Sequence, residues 1–241
     1  GANNSADTRK TNIYFYHDFN DAAVGTVKAN GLSTYFFNGG MTSLGSVAAG
    51  ELGYKGGAGD IKYVDDGNGG TAISFVGTQK ESDDSRQIFY VGIEDSEVKA
   101  NKERDFVFSV DVKVGSTIKD HTLFQCVFYD SSINNVRESG NKLEMDSSMN
   151  LKLDGVTVGK LSQTKFTTIT FRWDADADKM YVYINGILVG DFTTNEAFTQ
   201  FTGVRFFNQQ QSGNTFVDVM VYDNVFAYFP DSFAAQPKMF V

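Results

Sequence analysis

Apolar and polar residues alternate along most of this chain with a period of two. The clearest run is Asp105 to Val114: Phe106, Phe108, Val110, Val112 and Val114 fall on one face. Asp105, Ser109, Asp111 and Lys113 fall on the other, where only Val107 is apolar. Such alternation predicts a strand with one face in a core. Two further stretches predict tight hairpins. Leu151 to Val158 turns at Asp154-Gly155 and Tyr181 to Val189 at Asn185-Gly186; both dipeptides suit a type I′ turn, whose positive φ matches the strand twist. More strands are expected near 11–19, 71–77, 87–94, 121–129, 142–147, 166–173, 203–208 and 215–228. About a dozen strands with no helical periodicity predict an all-β, two-sheet antiparallel sandwich or jelly roll. Thr122 to Tyr129 and Lys179 to Ile184 are apolar on both faces. That predicts wide sheets whose outer face is covered by loops or forms a lined groove. Trp173 alternates with Ile169 and Phe171 and is expected in the core.

The expected organisation is a polar tail over 1–10, one sandwich domain over 11–229 and an extension over 230–241 that Phe233, Met239 and Phe240 could dock. The polar start has no signal-peptide core. Composition narrows the picture. With 22 Phe and 11 Tyr in 241 residues the chain has ample material for a core, which excludes disorder for its bulk. The net charge is −9 and no basic cluster exceeds Arg9-Lys10, so nucleic acid is not an expected partner. No apolar run approaches the ~20 residues of a membrane span, so no membrane insertion is expected. The one cysteine, Cys126, sits in an apolar run and is expected to be a buried thiol.

Four segments carry a resemblance. Lys165 to Gly190 reads strand, turn, strand, Asn-Gly, strand. His17-Asp18-Phe19-Asn20-Asp21 opens the chain's first strand, Gly69 to Phe75 forms another, and Asp218 to Val225 closes with Asp223-Asn224-Val225. In that order they resemble the concanavalin A-like lectin and glucanase superfamily, including laminin-G-like domains. The resemblance implies two curved antiparallel sheets, carbohydrate bound on the concave face or rim loops, an exported and extracellular setting, and in many members a structural calcium ion. It also implies a calcium position: Asp18 and Asp223, if first and last strands pair.

Fold does not fix function, so the residues must. Lys142-Leu-Glu144-Met-Asp146-Ser-Ser-Met149 approaches the alternating carboxylates of laminarinase-like members, but Ser148 or Met149 stands where the third acid belongs. One carboxylate role of a glycosidase is then unfilled. The only histidines are His17 and His121, and neither sits in the Arg-x-Glu or Gln-x-His strands of the superfamily's lyases. A tyrosine-based lyase stays open. Asp174-Ala-Asp176-Ala-Asp178 fails as an EF-hand, having Lys179 at the sixth position and Asn185 at the twelfth. Sugar recognition needs aromatic platforms and planar polar readers. Loop aromatics Tyr35, Phe36 and Tyr54 are candidate platforms. Arg137, Asn208, Gln209 and the acidic pair Glu144 and Asp146 are candidate readers. The expected function is a non-catalytic carbohydrate-binding domain with a polysaccharide or glycan partner. A polysaccharide-degrading enzyme and an adhesion domain are the alternatives.

Overall fold

The computed structural model describes residues 13–26, 36–37, 49–55, 61–76, 87–93, 99–115, 124–130, 132–136, 143–208 and 219–230. The expected tail and nearly all of the expected extension lie outside them. The described residues form eighteen strands in two nine-stranded sheets. The first sheet contains β1 (Ile13–His17), β2 (Gly25–Thr26), β5 (Ile61–Asp65), β6 (Thr71–Val76), β8 (Phe106–Val114), β14 (Thr167–Asp174), β15 (Lys179–Ile184), β16 (Ile187–Phe192) and β18 (Val219–Tyr228). The second contains β3 (Phe36–Phe37), β4 (Leu52–Lys55), β7 (Gln87–Gly92), β9 (Phe124–Asp130), β10 (Asn134–Asn135), β11 (Leu143–Met145), β12 (Asn150–Leu153), β13 (Val156–Lys160) and β17 (Gly203–Asn208). Every strand pair is antiparallel except the short β3–β4 pair. This is the jelly-roll β-sandwich that the alternation predicts, with a concanavalin A-like arrangement of sheets.

The sheet orders are β16-β15-β14-β8-β18-β6-β5-β2 and β13-β12-β11-β9-β17-β7-β4-β3. β18 lies at the middle of the first sheet. Along one edge it pairs with β8; along the other it pairs first with β6, over Val219–Tyr222, and then with β1, over Val225–Tyr228. The change of partner falls at a bulge between Asp223 and Phe226, where Asn224 has φ +47°. An asparagine tolerates that left-handed conformation better than most residues.

The core is where the sequence places it. β14 alternates buried and half-buried positions along its length, β15 does so from Met180 to Ile184, and β8 from Phe108 onward, Val107 being buried as well. Trp173 is fully buried, and its indole N–H donates to the Lys102 carbonyl at 2.9 Å. Phe128 meets Phe171 edge-on at 4.9 Å and Phe108 at 5.9 Å, tying the two sheets together. Such pairs add about 1 kcal/mol each beyond area burial. Cys126 is buried, and burial pushes its thiol well up. Asp154, Gly155, Asn185 and Gly186 all have positive φ, as type I′ turns require.

The expectation of about a dozen strands falls short because β2, β3, β4, β5 and β10 have two to five residues each. Short strands give too few periods to register as alternation. One correction bears on the candidate site. Phe36 and Tyr54 are not loop residues: they lie in β3 and β4, with Phe36 paired to Leu52 and Tyr54 to Phe89.

Candidate functional site

Alternation along β9 and β17 settles which residues face away from the core. Cys126, Phe128, Val204 and Phe206 are buried. Tyr129 and Arg205, between them in sequence, are half-buried on the outer face of the second sheet. Gly203 pairs with Tyr129 and Arg205 with Val127, so the two side chains are diagonal neighbours. The Arg205 guanidinium lies over the Tyr129 ring at 4.6 Å, and its Nη2 donates to the Tyr129 hydroxyl. A stacked guanidinium of this kind gains about 1 kcal/mol. β17 has a partner on both sides, β7 and β9. The pair therefore stands in the middle of the sheet and presents a planar guanidinium beside a phenol, with one Nη2 hydrogen already given to the hydroxyl and Nε buried.

Two strands further on, Glu144 of β11 is half-buried and pairs with Gln125 on one side and Lys152 on the other. Asp146 follows β11 and is consumed by the turn into β12. Its Oδ1 accepts the backbone N–H groups of Ser148 and Asn150, both at 2.9 Å. Its Oδ2 accepts Asn150 Nδ2 at 3.1 Å and lies 3.5 Å from the Lys152 ammonium. Burial would lift this carboxyl, but the bonds from Asn150, Ser148 and Lys152 outweigh it and hold it below its usual value. A general acid needs the opposite shift; Asp146 is built as a turn residue. Asn208 ends β17, paired with Gln87 and Phe124. Tyr35, Arg137 and Gln209 lie outside the described residues. All the described glycan candidates, Phe36, Tyr54, Glu144, Asp146 and Asn208, thus belong to or adjoin strands of the second sheet. Tyr129 and Arg205 were not among them, although each sits one residue from a buried phenylalanine, the signal that places it on the outer face.

The proposed calcium residues meet at the other sheet. β1 pairs with β18, and His17 faces Val225, which brings Asp18 toward Asp223. Asp223 is nearly buried and its carboxyl is pushed up to about 7, first by burial and then by the charges of Asp66, Asp111 and Asp18, against one lowering bond from the Asn224 amide. The neighbours are individually satisfied. Asp111 accepts Thr168 Oγ1 at 2.6 Å and Asn224 Nδ2 at 2.7 Å; Asp66 Oδ1 accepts the amides of Asn68 and Gly70 at 2.7 and 2.9 Å. Asp18 accepts the Asn20 amide at 3.1 Å. Among the described residues no three carboxylate, histidine or cysteine side chains are grouped to hold a metal ion. The charges of Asp66, Asp111 and Asp18 nevertheless all bear on Asp223. Asp174, at the start of the loop read as a failed EF-hand, accepts the amides of Asp176 and Ala177 at 3.1 and 3.0 Å, an ordinary turn.

No protein-family profile matches the chain, and no curated protein matches it in sequence. Solved structures match its fold. One is a sialidase, at TM-score 0.56 and 11% identity, covering 75% of this chain and 17% of that one. An endo-beta-1,4-glucuronan lyase from the fungus Trichoderma reesei gives 0.52 and 10%, covering 90% and 95%. The alginate lyase AlgAT5 of polysaccharide lyase family 7 gives 0.51 and 14%, covering 71% and 83%. This chain therefore spans about a sixth of the sialidase chain and most of each lyase chain. At these identities the likeness establishes the sandwich fold. Among the described residues no helix is long and apolar enough to cross a membrane.

Proposed function

We propose that this chain is an extracellular, non-catalytic carbohydrate-binding domain, and that its glycan lies on the outer face of the second sheet. The observation that carries the reading is the Arg205–Tyr129 pair. A phenol ring and a planar guanidinium, held against each other in mid-sheet, supply the stacking surface and the fixed donors that sugar recognition needs. The names of the structural neighbours support it: a sialidase and two polysaccharide lyases carry this sandwich. The commitment of Asp146 to its turn supports the non-catalytic half, because Glu144 then lacks the partner that the sequence offered it. Tyr35, Phe36, Tyr54, Arg137, Asn208 and Gln209 remain glycan candidates by residue type alone, and the proposed surface rests on Arg205 and Tyr129.

The test is affinity electrophoresis against soluble polysaccharides, with product release read from the same incubations. Arg205→Ala is expected to weaken retardation at least tenfold, about 1.4 kcal/mol, and Tyr129→Phe to weaken it less, with no product in either case. New reducing ends or unsaturated product would overturn the non-catalytic reading and return attention to Glu144. A structural calcium ion at Asp18 and Asp223 is a separate part of the proposal. Its check is the melting temperature of EDTA-treated protein as calcium is added: a rise supports the ion, and an unchanged value counts against it.

A further inference from the structure

The outer face of the first sheet carries a second lane of chemistry that the reading above does not use. Strand register aligns one residue from each of five neighbouring strands. Tyr16 of β1 pairs with Phe226 of β18, Phe226 with Ser109 of β8, Ser109 with Thr170 of β14, and Thr170 with Tyr183 of β15. All five are exposed or half-buried, while their sequence neighbours Phe15, Val225, Phe108, Ile169 and Val182 line the core. The row reads ring, ring, hydroxyl, hydroxyl, ring. Tyr16 and Phe226 meet edge-on at 5.6 Å, and the Ser109 and Thr170 hydroxyls are 3.0 Å apart. Three strand-to-strand steps separate Phe226 from Tyr183, ~14 Å at the usual spacing. Two aromatic walls therefore face each other across a low, hydroxyl-lined floor.

The Tyr16 wall is fixed in place. The Tyr16 hydroxyl donates to Asn224 Oδ1 at 2.9 Å, Asn224 Nδ2 donates to Asp111 at 2.7 Å, and Thr168 Oγ1 donates to the other Asp111 oxygen at 2.6 Å. The bulge that turns Asn224 outward thus anchors a ring that is half exposed, at 49%. Beside the lane Arg172 lies 3.7 Å from Asp105 and Lys179 lies 3.9 Å from Asp191, while Asp18, Asp111 and Asp223 add negative charge near Tyr16. Acidic groups at one end of the lane and a net charge of −9 repel a polyanion, and the cations beside the lane are already paired with carboxylates. The hydroxyl floor is equally unlike the dry centre of a protein interface, which excludes water around packed apolar anchors.

We infer that this face is a second glycan-binding surface, taking an uncharged polysaccharide laid across the strands from Tyr16 to Tyr183. Ring faces at Phe226 and Tyr183 stack on sugar C–H faces. Ser109 and Thr170 spend one hydroxyl proton on each other and offer the second to the chain. The inference goes beyond the Arg205 site and does not rest on it.

Affinity electrophoresis with mixed-linkage β-glucan, galactomannan and xylan, and alginate as the charged counterpart, tests it. Tyr183→Ala and Tyr16→Ala are each expected to weaken retardation by at least one of the neutral polymers about tenfold, and to leave any retardation by alginate unchanged. Thr170→Lys, which raises the floor without removing a wall, is expected to do the same, and thermal melts verify that each variant is folded. If Arg205→Ala alone abolishes retardation, the protein has one glycan surface and this inference fails while the first reading stands. If no neutral polymer retards the wild type, or none of the three lane variants changes its retardation, the inference fails as well.

Discussion

Asp130→Ala is expected to be the most damaging single substitution in the described fold, costing about 4 kcal/mol. Asp130 ends β9 and is fully buried. Its Oδ1 accepts the Ser132 amide at 2.8 Å and the Ser132 hydroxyl at 2.7 Å. Its Oδ2 accepts Thr199 N and Oγ1, both at 3.0 Å, and the Gln200 amide at 3.3 Å. One carboxylate therefore ties the β9–β10 turn to the loop that carries Phe198 and Phe201 into the core. Alanine would remove all five of these bonds at once, and a hydrogen bond to a charged group contributes ~1.5–3 kcal/mol. Burial alone would raise this carboxyl. The bonds from Ser132 and Thr199 outweigh it and hold it below its ordinary value. A carboxyl lowered in the folded state stabilises the fold above its unfolded value of 3.8 and loses that contribution as pH falls through the folded value. Urea titration at neutral pH measures the loss, and a cost below ~1 kcal/mol would refute the account. In Asp130→Asn, the dependence of stability on pH below about 4 should flatten relative to the wild type.

The second large effect has the opposite sign. Asp223→Asn is expected to stabilise the protein at pH 8 by about 2 kcal/mol in calcium-free buffer. The carboxyl is raised to about 7 by burial and by Asp66, Asp111 and Asp18. Between the unfolded value of 3.8 and about 7 the folded state holds a proton that the unfolded chain has released, so stability falls as pH rises across that window. The full shift corresponds to roughly 4 kcal/mol, at 1.36 per unit, and solvent and salt screening reduce it to about half. The asparagine keeps an oxygen for the Asn224 amide, which Asp223 accepts at 2.8 Å. Melting temperatures from pH 4 to 8 should coincide for the two proteins at the acid end and separate toward pH 8. Parallel curves would show that Asp223 is not the strained group.

These contrasts show where the sequence was readable. β8 was legible because nine consecutive residues alternate without a break but Val107, and the Asn185-Gly186 hairpin because a dipeptide alone specifies its turn. Burial of Trp173 followed from the same period. Asp146 was legible as a carboxylate two residues from Glu144 but not as a turn residue. Its role depends on the return of the chain at Met149, which has φ +65°, and no local pattern announces that. The walls of the two outer faces were half legible. The both-sided apolar character of β15 and the Thr122 to Tyr129 run pointed to a covered or lined outer face. Which residues meet there depends on register between strands as far apart as β1 and β18, and register is set by the whole sheet rather than by any one strand.

That distant pairing also sets an order of events for a chain emerging from the ribosome. β18 is the last strand described, yet it occupies the centre of its sheet, between β8 on one side and β6 and β1 on the other. Until it is made, β8 and β6 have no partner along those edges, and the positions of Met220, Tyr222 and Val225 in the core stay unfilled. The second sheet, whose last strand β17 ends at Asn208, can pair first. Long-range pairing of this kind is slow and leaves strand edges open while it waits. The nascent domain therefore stays an open half-sandwich until its final strand is delivered, and a chain truncated before Tyr222 would expose that gap permanently.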